Sequence, residues 1–245
     1  MKKLFYIAAV ALLTLGMVSC HRGDDNTNDN TNNNTNNNTP TNPTNPTTGE
    51  WVDLGLPSGL LWATCNLGAT NPEDYGDYYA WGETSAKETY NWSTYRYATV
   101  DADGNLQTLT KYNTSDTYGT IDNKTTLEAS DDVATAVLGS GARIPTEAEW
   151  QELLDNTTAE WTTQNGVNGR KFTAANGSSL FLPAAGSRYG SSLYDDGTYG
   201  NYWSASLFES YPNYAWGMYF NSDNQRVDSS YRLGGRSVRA VRSQN

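Results

Sequence analysis

Arg143-Ile144-Pro145-Thr146-Glu147-Ala148-Glu149-Trp150-Gln151-Glu152-Leu153-Leu154 is the stretch on which the reading of this chain turns. Thr146 is placed to cap a helix whose third residue, Glu149, reaches back to the cap amide, and Pro145 keeps that helix from extending backward. Ala148, Trp150, Leu153 and Leu154 leave an apolar stripe, while Glu147, Gln151, Glu152 and Asp155 point to water. A helix of about three turns lying on a core is expected. Glu147 and Glu149 suit the positive end of the helix dipole, so nothing there requires a catalytic carboxylate.

Working outward, a second helix is expected over residues 131–138, capped by Ser130, with Val133, Ala134, Val137 and Leu138 on one face and Gly139 at its end. Residues 92–124 carry no strong period and read as long loops, with a hairpin around Asp103-Gly104. Asp77-Tyr78-Tyr79-Ala80-Trp81-Gly82 and Gly200-Asn201-Tyr202-Trp203-Ser204 read as short strands and loops packed by large rings. Trp203 and Trp216 are expected in the core. Trp51-Val52-Asp53-Leu54 and Ser237-Val238-Arg239-Ala240-Val241-Arg242 both alternate, and pairing them would close residues 50–245 into one domain.

The N-terminal part has a different character. Lys2 and Lys3 precede an apolar run over residues 4–18 that is shorter than the roughly 20 residues a bilayer needs. Residues 1–19 read as a secretory signal, and Met17-Val18-Ser19-Cys20 resembles a lipobox, which would put acyl chains on Cys20 and anchor the protein in a membrane. Residues 20–49 are mostly Asn, Thr and Pro and form a disordered tether. Asp24 and Asp25 resemble the acidic signal that sends some Gram-negative lipoproteins outward, so the expected place is the outer membrane, facing the exterior.

Several chemistries are excluded by what the chain lacks. The only histidine is His21, beside the lipidation site, so the folded part has none for a triad, a zinc site or a proton shuttle. Cys65 is the one cysteine left once Cys20 is lipidated, and it reads as a core residue. Residues 51–199 hold twenty Asp and Glu against eight Lys and Arg, so nucleic acid is not an expected partner.

Five ordered blocks then form a pattern: Val52 through Asn66, Gly76-Asp77-Tyr78-Tyr79-Ala80-Trp81-Gly82-Glu83, Arg143 through Trp150, Tyr202-Trp203-Ser204-Ala205-Ser206 and Ser237 through Arg242. Together they resemble the FISUMP major-paralogous-domain family of bacterial surface proteins, similar in fold to C-type-lectin-like domains and to the formylglycine-generating enzyme group. The resemblance implies an α+β domain with two helices, a twisted antiparallel sheet, paired N- and C-terminal strands and long loops. It does not imply activity, because the chain has no cysteine after Cys65 to match the copper-binding pair of those enzymes. Only Tyr211-Pro212-Asn213 approaches the sugar-binding motifs of true C-type lectins. The last forty-five residues also resemble the variable region of retroelement-diversified proteins that share this fold.

Acid clusters at Glu73, Asp74 and Asp77, at Asp131 and Asp132, and at Asp195 and Asp196 leave calcium open as a ligand, though none has the alternation of an EF-hand loop. The expected site lies in the late loops. Tyr194, Asp195, Tyr199, Phe208, Tyr211, Asn213, Tyr214, Asn224, Arg226 and Tyr231 combine rigid rings with short polar groups, the mixture of adaptable recognition surfaces. The expected function is non-catalytic binding of an extracellular glycan or protein. Alternatives are a carbohydrate-active hydrolase with paired carboxylates, an adhesin or pilus-tip subunit, and a diversified receptor.

Overall fold

The computed structural model describes residues 50–244. In chain order these are β1 (Trp51–Asp53), β2 (Leu60–Ala63), β3 (Ala98–Val100), β4 (Leu106–Leu109), α1 (Val133–Leu138), β5 (Ala142–Arg143), α2 (Glu147–Asn156), β6 (Thr157–Gln164), β7 (Val167–Ala174) and β8 (Ser179–Pro183). There follow β9 (Ser187–Tyr189), β10 (Ser192–Tyr194), β11 (Gly200–Leu207), β12 (Tyr214–Phe220), β13 (Gln225–Tyr231) and β14 (Val241–Ser243). The sheets run β1-β2-β14-β5, β3-β4, β6-β7-β8, β9-β10 and β11-β12-β13, every pair antiparallel.

This overturns the expected α+β, C-type-lectin-like class. The described residues are mostly β, fourteen strands in five small sheets, with two helices of only six and ten residues. Gly139, at φ +89°, ends α1 after less than two turns, and turns rich in Gly, Asn and Ser divide the strands before one large sheet can form. The terminal strands do not pair with each other either. β2 lies between β1 and β14, with Trp62 opposite Val52 on one side and Val241 on the other. Leu60, Trp62 and Ala63 are buried whereas Asp53 and Ser243 are exposed, so the apolar strand takes the centre. The signal segment, Cys20 and the tether over residues 20–49 lie outside the described residues.

The α2 start is as the sequence dictates. Thr146 Oγ1 accepts from Glu149 N at 3.3 Å and Glu149 Oε2 accepts from Thr146 N at 2.8 Å. Glu149 is not solvated, however, because it also accepts from Arg143 Nη1 at 2.7 Å. The cap of α1 is Asp132, not Ser130: its carboxylate takes the amides of Ala134 and Thr135 and, from outside the helix, Ile144 N at 2.8 Å. The hairpin at Asp103-Gly104 forms between β3 and β4, where Asp101 Oδ1 accepts from the amides of Asp103 and Asn105. Cys65 is half-buried beyond the end of β2, its thiol donating to Thr70 O at 3.5 Å, and so is not a core residue.

Strand β11 divides the interior in two. Neighbouring residues of a strand face opposite ways, so Tyr202 and Trp203 enter different cores. Tyr202 joins Trp62, Trp150, Phe172, Met218 and Phe220, with Trp150 4.9 Å from Trp62 ring to ring. Trp203 joins Trp81, Tyr90, Tyr95, Tyr97 and Tyr112. The indole of Trp150 donates to Trp203 O at 3.1 Å, fixing α2 to β11. Two fully buried arginines stitch loops to this frame. Arg239 donates to Asn66 Oδ1 and to the carbonyls of Ala63 and Thr64, and Arg232 donates to Tyr95 Oη and to the carbonyls of Lys111, Tyr112 and Pro212.

Candidate functional site

The loop between β11 and β12 folds on itself through three backbone bonds: Tyr211 N to Phe208 O, Tyr214 N to Tyr211 O and Phe208 N to Tyr214 O. Its inner side is held from below, where Arg232 Nη1 donates to Pro212 O at 2.8 Å and Arg232 N to Asn213 O at 3.1 Å. The rings are thereby left outside. Tyr214 opens β12 in register with Tyr231, the last residue of β13, and their rings lie 4.2 Å apart.

From this pair an aromatic strip extends both ways. Trp92, on a 3-10 turn capped by Asn91, meets Tyr231 edge-on at 6.1 Å. On the other side Tyr214 meets Tyr211 at 6.4 Å, Tyr211 stacks on Phe208 at 5.8 Å, and Phe208 meets Trp216 edge-on at 4.8 Å. Tyr211 is 59% exposed and Tyr231 44%, while Trp92, Phe208, Tyr214 and Trp216 are half-buried. Partial burial, then the Tyr231 hydroxyl, push the Tyr214 phenol up to about 12, so it stays neutral at physiological pH.

Of the residues expected from sequence, Phe208, Tyr211, Tyr214 and Tyr231 come together here. Asn213 does not present its side chain: it is 9% exposed, tucked under the loop with its Oδ1 unpartnered. Tyr199, Asn224 and Arg226 form a second patch around Tyr219, with the Arg226 guanidinium 4.3 Å from the Tyr219 ring, the Tyr199 ring 5.5 Å from it, and Asn224 Oδ1 accepting from Arg226 at 3.3 Å. Tyr194 and Asp195 sit at the end of the β9-β10 hairpin, where Asp195 is a turn residue at φ +60° whose carbonyl accepts from Thr198 and Tyr199. Trp92 and Tyr219 were missed. Trp92 lies in a segment without period, and Trp216-Gly217-Met218-Tyr219-Phe220 reads as a uniformly buried strand although Tyr219 points outward. Trp203 is buried as expected, but Trp216 is not fully so.

Among the described residues no three His, Cys, Asp or Glu side chains converge as metal ligands. Members of two of the three expected acid clusters are tied up separately. Glu73 accepts from Gln164 and Asn165, Asp131 from Lys111 and Tyr112, and Asp132 from three amides. A cleft of about 350 Å³ lies elsewhere, between Leu127, Asp132, Ser140, Arg143 and Thr146, and none of the expected late-loop residues lines it.

A family model described as a domain of unknown function (DUF8237) matches residues 155–241, which span β6 through β13 and the ring residues of both patches except Trp92. No curated protein and no solved structure matches the chain.

Proposed function

We propose that residues 50–244 bind an extracellular glycan through the strip of Trp92, Tyr231, Tyr214, Tyr211 and Phe208, without turning it over. The observation that carries this reading is a run of rings preset by strand register and a pinned loop yet left in contact with solvent. Such rings offer flat apolar area at low entropic cost, suited to the C–H faces of sugars, and large exposed apolar patches mark contact sites. Among the carboxylates, Asp131, Asp132 and Glu149 are held by structural partners and are not free for acid–base work. The lipobox-like residues 17–20, the polar tether and the resemblance to FISUMP surface proteins support a lipoprotein anchored at Cys20 on the outer face of the outer membrane.

Glycan and protein arrays probed with the chain test the binding class. Retention on glycans without released sugar is expected, and released sugar or retention on proteins alone would overturn it. Fatty-acid labelling of cells expressing wild type and Cys20→Ala tests the anchor: label is expected on the wild type only, and equal label on both would refute it.

A further inference from the structure

The long sheet edges of this fold are finished in different ways. β11 gives the amides of Trp203, Ala205 and Leu207 to the carbonyls of Ser237, Pro145 and Thr125, and β8 ends in Pro183 with Leu180, Phe181 and Leu182 buried. β13 carries the charges of Arg226 and Asp228, and the Asp228 carboxylate takes the amide of Ser229. Each of these devices keeps another strand from adding to the sheet. β6 has none of them. Its eight residues pair with β7 without a register break, contain no Pro or Lys, and are chiefly Thr with Trp161, which suit a strand.

The register shows which way the β6 backbone points. Asn165-Gly166 closes a two-residue turn, so Gln164 and Val167 are hydrogen-bonded partners, and antiparallel alternation makes Thr162, Glu160 and Thr158 the next to bond β7. The far side of β7 agrees: Asn168 O accepts from Ala184 N and Ala174 N donates to Ser178 O, both toward β8. Ala159, Trp161 and Thr163 therefore turn N–H and C=O away from the sheet, and these groups have no partner among the described residues. The hairpin tip is held in place by Glu73, which accepts from Gln164 Nε2 at 3.1 Å and from Asn165 Nδ2 at 2.6 Å.

Such a preset row of donors and acceptors matches another extended strand, and the side chains decide which one. When two copies of β6 pair antiparallel about a two-fold axis, facing residues share a face, so the axis falls on a residue and not between two. An axis on Glu160 sets two carboxylates opposite each other, and an axis on Ala159 pairs residues 157–161 only. An axis on Trp161 pairs residues 158–164, with Glu160 opposite Thr162 and Ala159 opposite Thr163. Each Glu160 then keeps Lys171 as its cross-strand neighbour on β7, so the joined outer face is locally balanced although the chain carries a net charge of −11.

We infer that the β6 edge is a self-association surface, to which a second copy of this chain adds its own β6 antiparallel about an axis at Trp161. Two three-stranded sheets become one of six strands, and the half-buried Trp161 residues of the two copies meet at the axis. The inference does not rest on the glycan reading. A single strand pair makes a small interface, so the association is weak and reversible.

The test is oxidative cross-linking of the full chain in cells, in a Cys65→Ser background that leaves no other thiol in the folded part. Glu160→Cys together with Thr162→Cys should give a covalent dimer on non-reducing gels, because these positions face each other at about 4.5 Å between Cα atoms. Either single variant sets its cysteines on a diagonal of about 7–8 Å and should give at least about fivefold less dimer. Thr163→Pro removes an outward N–H that β7 does not use, so it should abolish the dimer in the double variant while its thermal melt stays close to that of the wild type. Thr163→Lys, which blunts the same edge, replaces it should the proline variant not fold. No dimer from the double variant, or a dimer undiminished by the folded Thr163 substitution, overturns the inference. Glu160→Cys cross-linking alone as well as the double variant moves the axis to Glu160 and overturns the assigned register.

Discussion

Two groups of tyrosines meet at Trp92, whose ring lies 5.7 Å from Tyr95 and 6.1 Å from Tyr231. On the inner side Tyr95, Tyr97 and Tyr112 pack edge to face at 5.8–6.0 Å, and two of their hydroxyls bind interior groups: Tyr95 donates to Trp81 O at 2.7 Å and Tyr112 to Asp131 Oδ2 at 2.6 Å. On the outer side Tyr211, Tyr214 and Tyr231 make ring contacts at 4.2–6.4 Å but remain in contact with solvent. Both sides are built from ring contacts, edge to face inside and closer to parallel in the Tyr214–Tyr231 pair outside. The difference is Arg232, which binds Tyr95 Oη on one side and Pro212 O on the other, so the same guanidinium locks one group in and props the other out.

Removing Arg232 should therefore cause the largest effect. Arg232→Ala leaves the carbonyls of Lys111, Tyr112 and Pro212 buried without a donor, and a loss of about 3–5 kcal/mol is expected in denaturant unfolding. A loss under about 1 kcal/mol would mean that water replaces the guanidinium and that the two tyrosine groups are not held apart by it.

A smaller effect sharpens the inner side. Burial by itself would raise the Asp131 carboxyl, but Lys111 and the Tyr112 hydroxyl outweigh it and hold the group at about 2, below the ordinary 3.8. A carboxyl depressed in the fold adds stability above its unfolded pKa and loses it as pH falls through the folded one. Wild type should exceed Asp131→Asn by about 2 kcal/mol at neutral pH, with the gap closing between about pH 4 and pH 2. Unfolding series at several pH values check this, and a gap that stays constant to pH 2 would contradict it.

The inner side was partly legible in the sequence and the outer side less so. The α2 start follows from Pro145, Thr146 and Glu149, because capping is a local interaction between residues three apart. The β3-β4 hairpin follows from Asp103-Gly104 for the same reason. A local signal at Asn165-Gly166 was present but unread: both residues have positive φ, 47° and 86°, and they join β6 to β7. Terminal pairing was misjudged because alternation in Trp51–Asp53 and near Val241 is satisfied equally by each other or by β2. The α+β expectation fails because two helix starts are conspicuous in sequence, while the strands around them are short, as in Ala142–Arg143, or polar, as in Thr157–Gln164. At the site, ring-rich loops could be picked out by composition, but Asn213 turning inward and Trp92 joining from far along the chain depend on tertiary contacts that no local pattern encodes.

The central claim, that the outer rings are presented for a ligand rather than packed for stability, is tested most directly by pairing melts with glycan-array retention for Tyr211→Ala and Tyr231→Ala. Both variants should unfold within about 0.5 kcal/mol of wild type, since exposed positions contribute little, while retention on the glycan bound by the wild type falls at least about tenfold. Undiminished retention, or destabilisation above about 2 kcal/mol, would show instead that these rings serve the fold and that the ligand face lies elsewhere.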